Sequence, residues 1–365
     1  MSKPAWAVWN SSRLRSLVTV LAALHVVYQA FFFIPAHWNR SDSLRDTPAF
    51  YLAAQNSVNH HTLYRARPGY GPDKMMSGPY FLYLPQFAVL EAPLGRLSPM
   101  AFSRVWYGLI LAAFWIFAAS LARIAFGRFS LDGTLVWGLI VGATPGVYFA
   151  ISTANADPMM WALVGMAIAT NRRGIFFALA AQLKLYTLLP LTLAVWKEGR
   201  RVAIPASILL VIGFAAGIGY CGVQSYWQWA HWVLPMIRQG TFFPGDISLS
   251  LGCLRLARHL GWNYVSGPLP PGPRLFLSVL GVLGPVCVSY LARKQEPLKL
   301  YCYSTIASVL FSPYCWSFYI PICYPLIALF IRDSRQAWMA AKEQTAAPRA
   351  DAIAAQQSVP SGSVI

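Results

Sequence analysis

The chain predicts an all-α polytopic membrane protein, on three observations. Of its 365 residues, 57% are hydrophobic and only 11% charged, where a soluble domain carries roughly 25% charged residues. Apolar runs of membrane length recur along the chain, and lipid accepts such runs as helices because every backbone polar group must be satisfied internally. The basic residues, 29 against 12 acidic ones, gather beside those runs. That placement follows the positive-inside rule and accounts for the net charge of +17 without a nucleic-acid partner. The expected organisation is a single transmembrane domain over residues 1–335 and a disordered cytoplasmic tail over 336–365. The domain would make about ten membrane crossings, some of them short half-helices. Two large outer loops are expected, at about 37–79 and 224–273.

Each element has its own warrant. Lys3, Arg13 and Arg15 precede the first span, about Leu17 to Pro35, and place the N-terminus in the cytoplasm. The span reads as a retained anchor, because its flanks lack the pattern of a cleaved leader. In the first outer loop, Thr47 to Asn59 reads as a short surface helix, with Pro48 suited to its first turn. Tyr80 to Leu97 is apolar but broken by Pro85 and Pro93. A full crossing there would put Arg123 and Arg128 outside, so a re-entrant or interfacial segment is expected. Spans follow at Arg104 to Ala122, Leu131 to Ala150 and Asn155 to Thr170.

Gly174 to Trp196 begins and ends beside basic inner loops. It is therefore expected to form two half-helices with Lys184 near their apex. Val202 to Cys221 returns outward, and Trp227, Trp229, Trp232 and Trp262 mark the second outer loop as a headgroup belt. The last spans are Leu275 to Leu291, Leu298 to Phe311 and Trp316 to Ile331. The six cysteines have neither metal-site nor disulfide-framework spacing. The tail is rich in Ala, Gln and Ser, which suits disorder.

With so few carboxylates, Asp46 stands out at the outer mouth of the membrane domain. A carboxylate there is placed to act as a base on a substrate arriving from lipid. Asp is also a favoured helix N-cap, and both roles are open to it. Lys184 lies amid apolar sequence, where an ionisable group marks a functional candidate unless it snorkels to an interface. Arg255 and Arg258 are three apart, so a helix would put them on one face, where they would grip a lipid phosphate or a headgroup. Asn155 and Asp157, in a polar turn between two spans, are candidate caps of the following helix. His60 and His61 are second-choice donors or solvated surface residues.

The order of these pieces resembles glycosyltransferase family 87, membrane enzymes of the GT-C fold that use polyprenyl-phosphate sugars, many of them mannosyltransferases. The resemblance runs from about Leu17 to Arg332. Asp46, Tyr51, Ala53, Ala54, Leu63 and Tyr64 are similar to the family's Asp, Tyr-x-Ala-Ala and Leu-Tyr pattern. Tyr83 and Pro85 resemble its Tyr-Pro-Pro stretch, with Gln86 at the second proline. Asn155, Lys184 with Pro190, Ser248 with Leu249 and Arg255, and Ser312-Pro313 with Trp316 resemble further elements in sequence order. After the tryptophan the family commonly carries a His, where this chain has Phe318 and Tyr319.

The resemblance implies a GT-C-like fold and an inverting sugar transfer on the outer face of the cytoplasmic membrane. The donor would be a polyprenyl-phosphate-linked sugar and the acceptor a lipid or glycan. Asp46 takes the role of general base, and Lys184, Arg255 and Arg258 face the donor phosphate. Tyr51, Tyr64, Tyr83, Asn155, Ser248 and Trp316 would bind substrate or shape the site. No nucleotide-binding fingerprint occurs, which suits a lipid-linked donor. No cofactor is expected; a metal site, the lesser reading, would draw on Asp42 and Asp73. The alternatives are a lipid-linked sugar transporter or flippase, or a non-catalytic lipid-binding subunit.

Overall fold

The structure is a computed structural model that describes residues 12–38, 46–64, 81–235, 248, 249, 252, 271–312, 315 and 317–357. Among the described residues every regular element is helical, and there are no strands. Four helices are long and apolar enough to cross a membrane, or five if one bent pair counts as a span. The chain is thus a multi-pass helical protein, with four or five candidate spans among the described residues where about ten crossings were expected.

Helix α1 (Ser12–Tyr28) continues through a π-helical turn, Gln29–Phe33, into Ile34–Trp38. Helix α2 (Thr47–Val58) is the short loop helix expected from Pro48. Pro85 then starts α3 (Pro85–Glu91), which passes into a 3-10 turn, Ala92–Arg96. This segment is too short to cross and packs on α2, as a re-entrant or interfacial piece would. Gly95 permits that contact: a Cβ there would lie 2.7 Å from the backbone carbonyl carbon and oxygen of Ala54.

Helix α4 (Pro99–Phe126) is the centre of the fold. Ser98 caps it by accepting from the Ala101 N–H, Pro99 opens it, and Gly127 at φ 78° ends it in the left-handed region. Of its apolar window 56% is buried, against 17% for α1. Phe102, Trp106, Ile110, Phe114, Phe117 and Leu121 recur at helical spacing and are all buried. Lipid is as apolar as these side chains, so close packing, and not exclusion of water, favours this face.

Helix α5 (Leu131–Gly142) and α6 (Pro145–Ser152) occupy the span expected over Leu131 to Ala150, but as a bent pair whose halves meet at 90°. Pro145 restarts the chain after the break, and the Thr144 hydroxyl contacts the Tyr324 hydroxyl at 2.5 Å. Helix α7 (Asp157–Ala169) packs on α4. Gly165 allows the approach, since a Cβ there would fall 2.9 Å from the Phe117 ring.

Helices α8 (Arg173–Leu183) and α9 (Leu188–Glu198) are the half-helices predicted around Lys184, which lies at the break between them. Their feet are tied by Arg173 Nη1 to Glu198 Oε2 at 3.0 Å, with the Tyr301 hydroxyl donating to the other Glu198 oxygen at 3.0 Å.

Helix α10 (Arg200–Gln228) bends at Gly222, φ 73°, and runs on through the π-helical turn Trp229–Val233. The start of the expected second outer loop, with Trp227, Trp229 and Trp232, is therefore helical. Helices α11 (Pro271–Leu291), α12 (Pro297–Leu310) and α13 (Tyr324–Gln357) complete the chain. The backbone of α13 is helical across 336–357, where disorder was expected; Ala, Gln, Lys, Arg and Glu are all strong helix formers.

Candidate active site

The site grows from the turn between α6 and α7. Thr153 and Ala154 end α6, and the Asn155 N–H reaches back to the Ala150 carbonyl at 2.9 Å while the Ala154 N–H bonds Ile151 O at 3.1 Å. This pair of bonds is a Schellman closure, with Ala154 at φ 52° where glycine is usual. The Trp106 indole of α4 pins the Ala154 carbonyl at 2.9 Å. The turn thereby presents Asn155 and Asp157 in a fixed register.

The Asn155 amide joins two carboxylate residues. Its Oδ1 accepts the Asp157 backbone N–H at 3.0 Å, which sets the amide orientation because that group can only donate. Its Nδ2 then donates to Asp46 Oδ2 at 2.8 Å. Asp46 holds the N-cap position of α2 but makes no side-chain cap bond. Its backbone N–H instead bonds the Thr153 carbonyl at 3.1 Å. The Tyr83 hydroxyl makes a long contact, 3.5 Å, to Asn155 Oδ1.

Asp157 is fully buried at the first turn of α7, where the helix dipole favours an anion. Lys184 reaches it from the α8–α9 break, Nζ to Oδ1 at 2.7 Å. At that distance the pair is a close ion pair, and Asp157 Oδ2 has no hydrogen-bond partner among the described residues. The same ammonium donates to the Tyr319 hydroxyl at 2.6 Å. It also lies 4.6 Å from the centre of the Tyr319 ring and 5.4 Å from that of Tyr83. The Asp157 carboxylate, the Tyr319 hydroxyl and the ring of Tyr83 thus stabilise a partly buried cation.

The structure therefore assembles Asp46, Tyr83, Asn155 and Lys184, drawn from four separate stretches of sequence. Tyr51 and Tyr64 have other partners. The Tyr51 hydroxyl donates to the Leu97 carbonyl at 3.1 Å and fastens α2 to the segment after α3. Tyr64 donates to the Tyr83 carbonyl and so supports the site from behind. His60 is exposed, stacks on Tyr220 and contacts its carbonyl at 3.3 Å; His61 is exposed beside it. Ser248 is buried. Arg255, Arg258 and Trp316 lie outside the described residues.

Three polar side chains escaped sequence reasoning, two of them in the site. Asp157 passed for a helix cap, yet its fully buried carboxylate faces Lys184. Tyr319 lay next to the position where a His was sought. Glu91 ends α3, is buried, and leaves both carboxylate oxygens without a hydrogen-bond partner among the described residues. An acidic residue inside an apolar stretch was the available signal for it.

A linked set of carboxylate, amide and ammonium groups inside a multi-pass helical bundle defines a membrane protein with a polar reaction centre or binding centre. The family model of glycosyltransferase family 87 matches residues 81–313, and the chain belongs to that family. It is a membrane glycosyltransferase. Tyr83, Asn155, Asp157 and Lys184 fall inside the matched residues, while Asp46 and Tyr319 lie beyond its two ends. Searches of curated proteins and of solved structures returned no match.

Proposed function

We propose that the protein transfers a sugar, mannose or another hexose, from a polyprenyl monophosphate to a lipid or glycan acceptor. Transfer takes place on the outer face of the cytoplasmic membrane and inverts the anomeric centre. Asp46 acts as general base: it takes the proton of the acceptor hydroxyl as that oxygen bonds to the anomeric carbon. The bond from that carbon to the phosphate oxygen breaks, and the electron pair leaves with the lipid phosphate. Such a base contributes about 10²–10⁴-fold.

One observation carries this reading. Asp46 occupies a cap position without capping, and its carboxylate is turned to Asn155 and through it to the Asp157–Lys184 pair. A capping aspartate would have spent its oxygens on the first turn of α2. The half-helices support a lipid-borne donor: α8 has 11 residues, or about 16 Å of rise, so its apex ends partway through a bilayer core about 30 Å thick. Arg255 and Arg258 remain the proposed grip on the leaving phosphate.

The test is transfer from a short-chain polyprenyl-phosphate mannose to crude membrane acceptors by the full chain in detergent. Asp46→Asn should abolish transfer while thermal unfolding stays unchanged. Undiminished transfer by that variant would remove Asp46 from the role of base. Movement of the lipid-linked sugar across a vesicle membrane without transfer would make the protein a transporter.

A further inference from the structure

The Asp157–Lys184 pair has unused hydrogen-bonding capacity that fits a sugar better than a phosphate. Lys184 has three N–H donors; one goes to Tyr319, and another faces Asp157. Asp157 Oδ2 is buried and has no hydrogen-bond partner among the described residues. The Tyr186 hydroxyl is in the same condition. Tyr186 is carried by the 3-10 turn Leu185–Thr187, directly after Lys184, which the Thr187 hydroxyl anchors by donating to the Lys184 carbonyl at 2.9 Å. Its ring stands edge-on at 5.9 Å to that of Tyr319, whose hydroxyl accepts from Lys184.

Native proteins rarely leave such groups unpaired, and a cluster of them calls for a missing occupant. The local charges decide its chemistry. The Lys184 cation is already balanced by Asp157, so an anionic phosphate entering here would meet a carboxylate at close range. A neutral hydroxyl meets no such opposition. It donates to Asp157 Oδ2 and accepts from Lys184 Nζ, while the Tyr186 hydroxyl serves a neighbouring oxygen as donor or acceptor. Lys184 keeps 16% of its side chain exposed, so the cluster lies at the edge of the buried region and not in its sealed core.

We infer that Asp157, Lys184 and Tyr186 form the subsite that holds hydroxyl groups of the transferred sugar, and that the lipid phosphate is held elsewhere. This rests on the reading of the protein as a user of lipid-linked sugars. It assigns Lys184 to the sugar in place of the phosphate role that the sequence suggested.

The test is equilibrium binding, so it does not depend on turnover. The full chain in detergent is titrated with short-chain polyprenyl-phosphate mannose and, separately, with the same polyprenyl phosphate lacking the sugar. Tyr186→Phe and Asp157→Asn are compared with the unaltered protein after thermal unfolding has shown that each is folded. The expected result is about tenfold weaker binding of the sugar-bearing lipid by each variant, equivalent to about 1.4 kcal/mol, with the sugar-free lipid unaffected. Equal weakening toward both lipids would overturn the inference in favour of a phosphate site. No change toward either would mean that an ordinary buried water occupies the cluster, which also overturns it. Normal mannose-lipid binding without transfer by the unaltered protein would count against the proposed reaction and leave the subsite standing.

Discussion

Asn155 Nδ2 donates to Asp46 Oδ2 at 2.8 Å, across 109 positions of sequence. This bond links helix α2 to the turn between α6 and α7. It orients a carboxylate that local chain geometry would otherwise leave to cap α2. Asn155→Ala should therefore lower kcat by about 10–100-fold, the loss expected for a hydrogen bond to a charged group. The Michaelis constant for the lipid donor should change little if the bond orients Asp46, the proposed base, without touching the donor. Steady-state kinetics with the mannose lipid would check the split; a loss confined to the Michaelis constant would make Asn155 a donor-binding residue.

Removal of Lys184 leaves Asp157 as a buried charge with no counterion. Lys184→Met should cost about 3–5 kcal/mol of stability, the usual result of breaking a buried pair from one side. The double variant Lys184→Met/Asp157→Asn should recover most of that loss, because it buries no unpaired charge. Thermal unfolding of the single and double variants in one detergent measures the coupling. Additive losses would show that the two residues do not act as a pair.

Gly95 is required by space. A methyl group at this position meets the Ala54 backbone at 2.7 Å, and backbone cannot rotate away as a side chain can. Gly95→Ala should destabilise the protein by about 1–3 kcal/mol, the range for overpacking a well-filled core. It should also reduce transfer, because displacing this segment shifts α3 and the Tyr83 stretch before it. An unchanged unfolding midpoint would contradict the close approach.

Asp333, just past the last apolar run, pairs with Lys299, and Arg332 bridges Asp333 and Glu296. Burial acts to raise the Asp333 carboxyl, but its hydrogen bonds to Lys299 and Arg332 and their charges outweigh burial and hold it below the usual carboxylate range. A depressed carboxyl contributes stability that is fully present above its unfolded value, about 3.9. That contribution is lost as pH falls through the lower folded value. Unfolding midpoints should therefore fall on acidification below about pH 4, and Asp333→Asn should flatten part of that fall. An identical acid profile in the variant would show that the pair is inert.

Much of the architecture was legible in the sequence because it follows local rules. Pro48 marked the start of α2, and basic residues on both sides of 174–196 required a hairpin of half-helices with Lys184 at its apex. Asp46, Asn155 and Lys184 stood out as polar groups at the ends or breaks of apolar runs. What local rules did not reach was pairing. Asp157 looked like a helix cap because its carboxylate sits at a first turn, and only the approach of the α8–α9 break shows that it faces a cation. Tyr51 looked like part of a site, yet its hydroxyl serves the Leu97 carbonyl.

Patterning along the chain establishes a helical membrane protein, the half-helix hairpin and the sparse polar residues from which any chemistry must be drawn. Composition and the placement of charge settle those, because a bilayer penalises each unpaired polar group wherever it occurs in the fold. That Asp46, Asn155, Asp157, Lys184 and Tyr319 form one linked cluster follows from the folded arrangement of the helices alone. They come from stretches as far apart as residues 46 and 319, and hydrogen bonds near 3 Å depend on how helices pack, which spacing along a chain does not encode.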